Sequence, residues 1–230
     1  MHRTYALDPG FRLEVLPAPA ALPASVEDSV DAIWRAAQGA QPTLHNGRIY
    51  SLVEYAPQRL TVRALEYRLL LAQRRAPALE SILAVRPIGV TGLLTGRDGL
   101  ALGHRAKHVA ADAGLWEAAP AGNLARPEPA EQILEELAEE LGVQREQVRV
   151  PRPLGLVEDT TSRVVDIVFR LESDLSAAAL RLAWQEHGSN EYAEIAIVPP
   201  AELPRFLAEH RAHLLRVLEP MLRLGRFLPG

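Results

Sequence analysis

A short glutamate-rich stretch holds the side chains with the clearest capacity for chemistry. On a helical wheel at about 100° per residue, Glu136 and Glu140 share one face, and Glu139 lies beside them. The aliphatic residues occupy the opposite face: Leu134, Leu137, Ala138 and Leu141. Like charges at this spacing destabilise a helix by about 0.2–0.5 kcal/mol per pair. A hard divalent cation would offset that repulsion, because Mg²⁺ and Mn²⁺ prefer oxygen ligands. The three glutamates are therefore candidate metal ligands.

The residues around this stretch carry a family resemblance. Taken alone, such a pattern is common on solvated helices and favours an ordinary acidic surface. Here a glycine-containing turn precedes the helix and a glycine–valine pair ends it, and the combination resembles the Nudix box. In that box a glycine and a glutamate precede an Arg-Glu pair, an aliphatic residue, a Glu-Glu pair, a glycine and an aliphatic residue. The matching positions are Gly122, Glu128, Glu136, Leu137, Glu139, Glu140, Gly142 and Val143.

The chain departs from the box at three points. The interval after Glu128 is one residue short, Glu135 takes the position of the arginine, and Ala121 stands where a glycine is frequent. In the family the arginine helps to hold the glutamates in place. Its replacement adds negative charge, so weaker metal binding or weaker activity is expected.

The resemblance covers roughly residues 87–207 and implies a fold and a reaction. The fold is the Nudix α/β/α sandwich with a mixed sheet, and the reaction is Mg²⁺-dependent hydrolysis, with Mn²⁺ as an alternative ion, of a nucleoside diphosphate linked to another group. Glu136 and Glu140 would be the principal metal ligands. Glu139 would be a third ligand or the base that activates water, and the Gly122 region would supply a backbone oxygen.

Two further positions follow from the same resemblance. The base in this family can come from a loop after the box, which makes Glu191, with Glu194 behind it, a candidate. Arg105, after the predicted hairpin, is a candidate for contact with a phosphate. The alternative interpretation is that Glu191, Glu194 and Arg105 are ordinary surface charges.

The N-terminal part suggests a subgroup. The stretch from Asp31 to Leu52, and the hairpin-like stretch after it, resemble the extension of Nudix proteins that hydrolyse UDP-glucose and UDP-galactose to UMP and a hexose 1-phosphate. The extension would complete the nucleotide pocket, where Trp34, Tyr50 or Tyr67 could stack on uracil, although each also suits a hydrophobic core. The alternatives are hydrolysis of ADP-ribose or coenzyme A, or a catalytically weak Nudix-fold protein that binds a nucleotide.

Hydrophobic patterning predicts the elements that would position these side chains. Two apolar segments, 88–94 and 100–105, flank Gly96-Arg97-Asp98-Gly99, a strong hairpin signal. The acidic helix is expected over 130–141, with Gly142 ending it. Downstream we expect strands over 148–157, 164–171 and 194–198, a loop up to residue 193, and over 201–224 one long helix or two shorter ones broken at Pro220.

Residues 1–84 are predicted to form an accessory segment before a main domain at 85–230. A strand at 11–16 and a proline-rich connector lead to a helix that Ser25 and Asp28 open at capping-box-like spacing and Gly39 ends. Strands at 49–55 and 60–65 and a helix at 67–75 follow. The whole chain therefore belongs to the α/β class, with a mixed sheet, helices on both faces and a smaller N-terminal α+β extension.

Composition excludes several classes of function. The 230 residues carry a formal net charge of −4, which is not the basic footprint of a nucleic-acid binder. There are no cysteines, so disulfides, thiolate nucleophiles and cysteine zinc sites are absent. No apolar run approaches the roughly 20 residues that span a bilayer, and no signal-like segment opens the chain. We expect a cytoplasmic protein whose partner is a small nucleotide; its oligomeric state stays open.

Overall fold

The computed structural model describes residues 1–109 and 111–229. In this part of the chain the strands are β1 (His2–Ala6), β2 (Arg12–Leu16), β3 (Arg48–Ala56), β4 (Arg59–Glu66), β5 (Ile88–Thr95), β6 (Leu100–Arg105), β7 (Trp116–Ala118), β8 (Ala121–Asn123), β9 (Arg152–Asp159), β10 (Val165–Glu172) and β11 (Tyr192–Val198). The α-helices are α1 (Ala24–Ala40), α2 (Tyr67–Arg75), α3 (Glu80–Leu83), α4 (Pro129–Leu141), α5 (Ala177–His187), α6 (Leu203–Glu209) and α7 (Leu218–Leu224). Short 3₁₀ turns connect some of them.

The large sheet is mixed and splits at one point. Its order is β1-β9-β10-β5-β6-β11, with β10 and β5 parallel and the other neighbours antiparallel. Strands β5 and β6 pair at Thr95 and Leu100, next to the predicted Gly96–Gly99 hairpin turn. Beyond that point β5 pairs with β8, whereas β6 pairs with β7. The two branches therefore diverge and leave an opening between them.

Helices cover both faces of this sheet. On one face α4 packs Ile133, Leu137 and Leu141 into a core shared with strands β5 and β10. On the other face α6 and α7 pack Leu203 and Leu218, among others, into a second core. Each helix buries one apolar face, which is the stable way to cover a sheet. The predicted α/β architecture with a mixed sheet between helices is confirmed.

The N-terminal residues build a second, three-stranded sheet in the order β2-β4-β3. Helices α1 and α2 pack on each other, and Trp34 meets Tyr67 edge-on with 6.4 Å between ring centroids. Residues of β3 and β4, including Leu52 and Leu60, share the core that lies under α4. Strand β1 pairs with β9 at the edge of the large sheet. The division at residue 84 stays a prediction about organisation along the chain.

Three predicted elements differ in the structure. The expected loop before residue 193 contains α5, an alanine-rich helix whose start is capped by the Ser176 hydroxyl, which accepts from the Ala179 N–H at 3.2 Å. Its apolar pattern is weak because only Leu180 is buried, so periodicity does not mark it as a helix. The short strands β7 and β8 also lie in a predicted loop, because three-residue strands have no detectable alternation.

Three predicted helix boundaries also differ in the structure. Helix α1 does not end at Gly39 but continues to Ala40. Ser25 does not cap α1, which begins one residue earlier, after Pro23. The predicted break at Pro220 falls instead between His210 and Val217, and Pro220 lies in the first turn of α7, where a missing N–H is tolerated. None of the described helices combines the length and the apolar character that a bilayer crossing requires.

Candidate active site

Helix α4 presents the predicted metal ligands and is held on the sheet by its apolar face. It begins with Pro129, where the missing N–H removes no helical hydrogen bond. It ends at Gly142, which has the left-handed backbone (φ 67°) typical of a helix C-terminus. Its buried aliphatic side chains leave a second face directed at β8. Glu136 and Glu140 lie on that second face, as the helical wheel predicts.

Glu140 is almost fully buried, with 2% of its surface exposed. Its Oε2 accepts hydrogen bonds from the Ala121 N–H at 3.0 Å and from the Tyr192 hydroxyl at 2.9 Å. Its Oε1 is also buried and has no hydrogen-bond partner in the described structure. Burial raises the pKa of Glu140 well above its usual value, and the negative charge of Glu191 adds to this effect. One carboxylate oxygen is therefore left without a compensating donor or cation.

Glu136 lies directly over the backbone of β8. A Cβ atom at Gly122 would be 2.2 Å from the Glu136 carboxyl carbon, so the glycine makes room for the carboxylate. The Gln132 amide donates to Glu136 Oε1 at 2.8 Å. Burial raises the pKa of Glu136 to about 7, against the opposing effect of Gln132 and with a further contribution from Glu139. Glu139 itself is exposed.

A second cluster of charged side chains, made of Arg105, Glu117 and Glu191, lies near Glu136 and Glu140. Arg105 on β6 donates to Glu117 Oε1 on β7 at 2.5 Å and forms an ion pair with Glu191 at 2.9 Å. The Tyr192 hydroxyl lies 3.3 Å from the same Glu117 oxygen and links this group to Glu140. Burial raises the pKa of Glu117 to about 7 even though the Arg105 charge lowers it. The arginine predicted to meet a phosphate is thus placed between two carboxylates.

A cavity of about 580 Å³ occupies the opening between the two branches of the sheet. Residues from both branches line it, among them Gly89, Arg105, Glu117, Gly122, Asp166 and Glu191. The N-terminal segment contributes Gln41, Tyr67 and Arg74 to the same wall. Of the three aromatic residues predicted as stacking candidates, Tyr67 lines the cavity, whereas Trp34 and Tyr50 are buried.

Asp166 is an acidic group of the cavity that the sequence did not single out. Its Oδ1 lies 2.3 Å from the position that a Cβ of Gly89 would occupy, so the carboxylate sits over bare backbone. Burial and then the charge of Glu117 raise the pKa of Asp166 to about 7, whereas the Thr91 hydroxyl lowers it. The cavity therefore combines carboxylates with arginine side chains along its wall.

The three predicted metal ligands, Glu136, Glu139 and Glu140, do not all come together in the structure. Among the residues that the structure describes, no three His, Asp or Glu side chains are grouped closely enough to hold a metal ion. The structure brings Glu136 and Glu140 together against β8 and leaves Glu139 and Glu194 exposed. Gly122 is paired with Val90 in the β8–β5 ladder. The individual roles of these residues stay predictions.

Sequence reasoning missed Glu117, Tyr192 and Asp166. Glycines within predicted strands were the available signal, because such a glycine marks the close approach of another group. Gly89 lies against Asp166, and Gly103 lies against the Tyr192 ring. The partner of each glycine could not be identified without the fold.

Comparison with known proteins reveals distant structural likenesses. No protein-family model matches the sequence, and no curated protein matches it. Among solved structures, a MutT protein from Methanosarcina mazei Go1 is 20% identical with a TM-score of 0.45, covering 61% of this chain and 91% of its own. The Nudix domain of NrtR from Shewanella oneidensis, complexed with ADP ribose, is 16% identical with a TM-score of 0.43, covering 60% and 85%.

A third similar structure is a bifunctional NMN adenylyltransferase/ADP ribose pyrophosphatase from Francisella tularensis. It is 17% identical with a TM-score of 0.48, and the match covers 71% of this chain and 49% of that one. With TM-scores below 0.5, these likenesses leave the function to be argued from the site itself.

Proposed function

We propose that this protein is a metal-dependent pyrophosphatase of the Nudix type, which hydrolyses a nucleoside diphosphate linked to another group. The observation that carries the proposal is the buried Glu140 with its unpartnered Oε1, beside Glu136. The two carboxylates contact Ala121 and Gly122, which line the cavity between the diverging strand pairs. A buried carboxylate oxygen without a partner is costly unless a cation or donor meets it. The box-like spacing of the sequence supports the same interpretation.

The two carboxylates Glu136 and Glu140 suit a Mg²⁺ or Mn²⁺ ion that takes its other ligands from water and substrate phosphates. The donor set is made of carboxylate oxygens only, which suits these hard cations. Glu136 and Glu140 would hold the ion, with Glu139 as a third ligand after rotation of its exposed side chain. When bound, such an ion neutralises charge on the phosphate oxygens and acidifies a coordinated water. A cation would also offset the burial, and the smaller repulsion from neighbouring carboxylates, that raise the pKa of Glu136 and Glu140.

The reaction needs a group that takes up a proton. The oxygen of water forms a bond to one phosphorus while the bond from that phosphorus to the bridging oxygen breaks, and the bridging oxygen leaves with the other phosphate. Glu191 is our proposed proton acceptor, because Arg105 holds its carboxylate at 2.9 Å and its charge acts on both Glu136 and Glu140. Glu139 is the alternative acceptor.

The substrate that we propose is UDP-glucose or UDP-galactose, cleaved to UMP and a hexose 1-phosphate. The N-terminal segment resembles the extension of proteins with that activity, and Tyr67 and Arg74 of this segment line the cavity. An aromatic ring and a guanidinium suit a base and a phosphate. ADP-ribose and coenzyme A are the alternative substrates, since the box reports only the diphosphate chemistry.

A nucleotide-binding protein without turnover is the second candidate function. The observation that favours it is Glu135, which stands at the arginine position of the box and pairs instead with Arg126 at 2.7 Å. That arrangement leaves one positive charge fewer beside the glutamates.

The test is a panel of UDP-glucose, UDP-galactose, ADP-ribose and coenzyme A with millimolar Mg²⁺ or Mn²⁺, with products resolved by chromatography. We expect UMP from the two UDP-sugars and no product in EDTA. Saturable binding of UDP-glucose without any turnover of the panel would favour the second candidate. Absence of both binding and turnover would refute both.

Substitution tests the assignment of the glutamates. Glu136→Gln and Glu140→Gln keep the size of each side chain and remove a ligand charge, so each should reduce turnover by about 100-fold or more. The unfolding temperature should not fall, because each change removes a carboxylate charge whose burial raises its pKa. Glu131→Gln is the matched control, because Glu131 lies on the same helix and pairs with Arg145 outside the cavity; it should retain full activity. Equal rates in all three variants would contradict the assignment.

A further inference from the structure

We infer that Tyr192 is a positioning residue that aims the free oxygen of Glu140 toward a metal ion. The inference rests on the proposed function. The Tyr192 hydroxyl and the Ala121 N–H both donate to Oε2 of Glu140, at 2.9 Å and 3.0 Å. A carboxylate fixed through one oxygen presents its other oxygen in a set direction, and that other oxygen, Oε1, is the unpartnered one. Hydrogen bonds of this kind orient metal ligands and increase their affinity.

The path of β11 explains how a tyrosine reaches this carboxylate. Tyr192 opposes Arg105 in the β11–β6 ladder, and the register shifts between Tyr192 and Glu194. Such a bulge re-aims a side chain relative to regular pairing. The Tyr192 ring then lies on Gly103, where a Cβ would be 2.4 Å from the ring carbon Cε1. Only 3% of Tyr192 is exposed, so the ring is fixed by its surroundings.

Arg105 determines where the single hydroxyl proton goes. The Tyr192 oxygen is 2.9 Å from Glu140 and 3.3 Å from Glu117, and it can donate to only one of them. Glu117 Oε1 already accepts from Arg105 at 2.5 Å. Glu140 Oε2 lacks a charged donor, so it takes the hydroxyl proton at the shorter distance. Arg105 thus occupies Glu117, and the Tyr192 hydroxyl is left to fix Glu140 through Oε2, with Oε1 free.

The test is Tyr192→Phe, which keeps the ring and removes the donor. Mn²⁺ binding is measured on the whole protein without substrate, by titration with electron paramagnetic resonance of free Mn²⁺. We expect binding to weaken by about 10- to 100-fold, since loss of such supporting hydrogen bonds has effects of this size. In assays, the Mn²⁺ concentration for half-maximal rate should rise by a similar factor, and saturating Mn²⁺ should restore kcat to within about threefold of the wild type.

Tyr5→Phe is the matched control. Tyr5 donates to Glu158 at 2.7 Å, which is another tyrosine–glutamate hydrogen bond, but remote from α4. Its removal should leave Mn²⁺ affinity unchanged. Gly103→Ala is a second, independent variant. It keeps the Tyr192 hydroxyl but displaces the ring that packs on Gly103, so it should also weaken Mn²⁺ binding.

The outcomes separate this inference from the proposed function. A wild-type protein that binds no Mn²⁺ would refute the metal site as a whole. A wild type that binds Mn²⁺, with equal affinity in folded Tyr192→Phe or folded Gly103→Ala, would overturn the positioning role alone. Weakened binding in both variants and unchanged binding in Tyr5→Phe would support it.

Discussion

Carboxylates buried without enough positive charge dominate the site at the scale of single residues. Glu117, Glu136 and Asp166 each have a pKa raised to about 7, with burial as the main cause. Keeping charge in such places destabilises the folded protein, and proteins tolerate this mainly where function requires it. The unfavourable burial of carboxylate charge is therefore concentrated in the candidate site.

Asp166 is not one of the proposed metal ligands, so this destabilisation can be measured there without changing them. Its folded-state pKa near 7 lies above the unfolded value near 4, so the folded protein binds more protons between these values and loses stability as the pH rises from about 4 to 7. The charges of Glu117, Asp112 and Asp159 act in the same direction, and Thr91 opposes them. Above pH 7 the loss is complete.

We expect Asp166→Asn to be more stable than the wild type at pH 8 by about 1–3 kcal/mol, because a tenfold change in proton affinity between the two states corresponds to about 1.4 kcal/mol. The difference should vanish near pH 4. Urea unfolding at several pH values measures it. Asp174→Asn, on the exposed surface, is the control and should show a small difference that does not follow this course. A gain for Asp166→Asn that is the same at pH 4 and pH 8 would contradict the assignment.

At the scale of elements, what the sequence could predict depends on whether one element holds all the information. Glu136 and Glu140 belong to a single helix, so helical spacing alone places them together. Glu117, Tyr192 and Asp166 come from three strands, and their meeting depends on strand order, a bulge and the divergence of β5 from β6. The Gly96–Gly99 turn, with both flanking strands, was predicted because its signal is local, whereas α5 and β7 have weak patterns.

The contact between α4 and β8 gives an element-scale prediction. Gly122→Ala would place a Cβ 2.2 Å from the carboxyl carbon of Glu136 and displace that side chain. Turnover and Mn²⁺ affinity should both fall at least tenfold. The unfolding midpoint should fall only modestly, because Glu136 is partly exposed and its side chain can move toward solvent. Gly39→Ala is the matched control: nothing lies within 4 Å of its Cβ position, and helix α1 should gain slightly in stability. Unchanged metal affinity in Gly122→Ala would show that Glu136 does not need its present position.

At the scale of the whole molecule, the two sheets share one hydrophobic core. Leu52 and Leu60 of the small sheet pack in the same cluster as Ile88 and Val90 of the large one. The sequence predicted both groups of strands but not this sharing, because patterning shows which face of a strand is apolar and does not show what covers it.

The shared core predicts coupled stability. Leu60→Ala should lower the free energy of unfolding by about 2–5 kcal/mol, since Leu60 is fully buried. Hydrogen-exchange protection should fall together in β4, β5 and α4. Leu182→Ala, at an exposed position of α5, is the control and should change protection little. Loss of protection confined to residues 1–84 would instead indicate an independently unfolding unit.

The pairing of β1 with β9 has a consequence for how a newly made chain folds. His2 opposes Asp159, so β1 pairs with a strand, β9, that is synthesised more than 150 residues later. At roughly 5–20 residues per second, that interval lasts on the order of ten to thirty seconds. During translation β1 is made well before β9, the strand it pairs with, and stays unpaired until then. Completion of this edge is therefore expected to be a late step in biosynthesis.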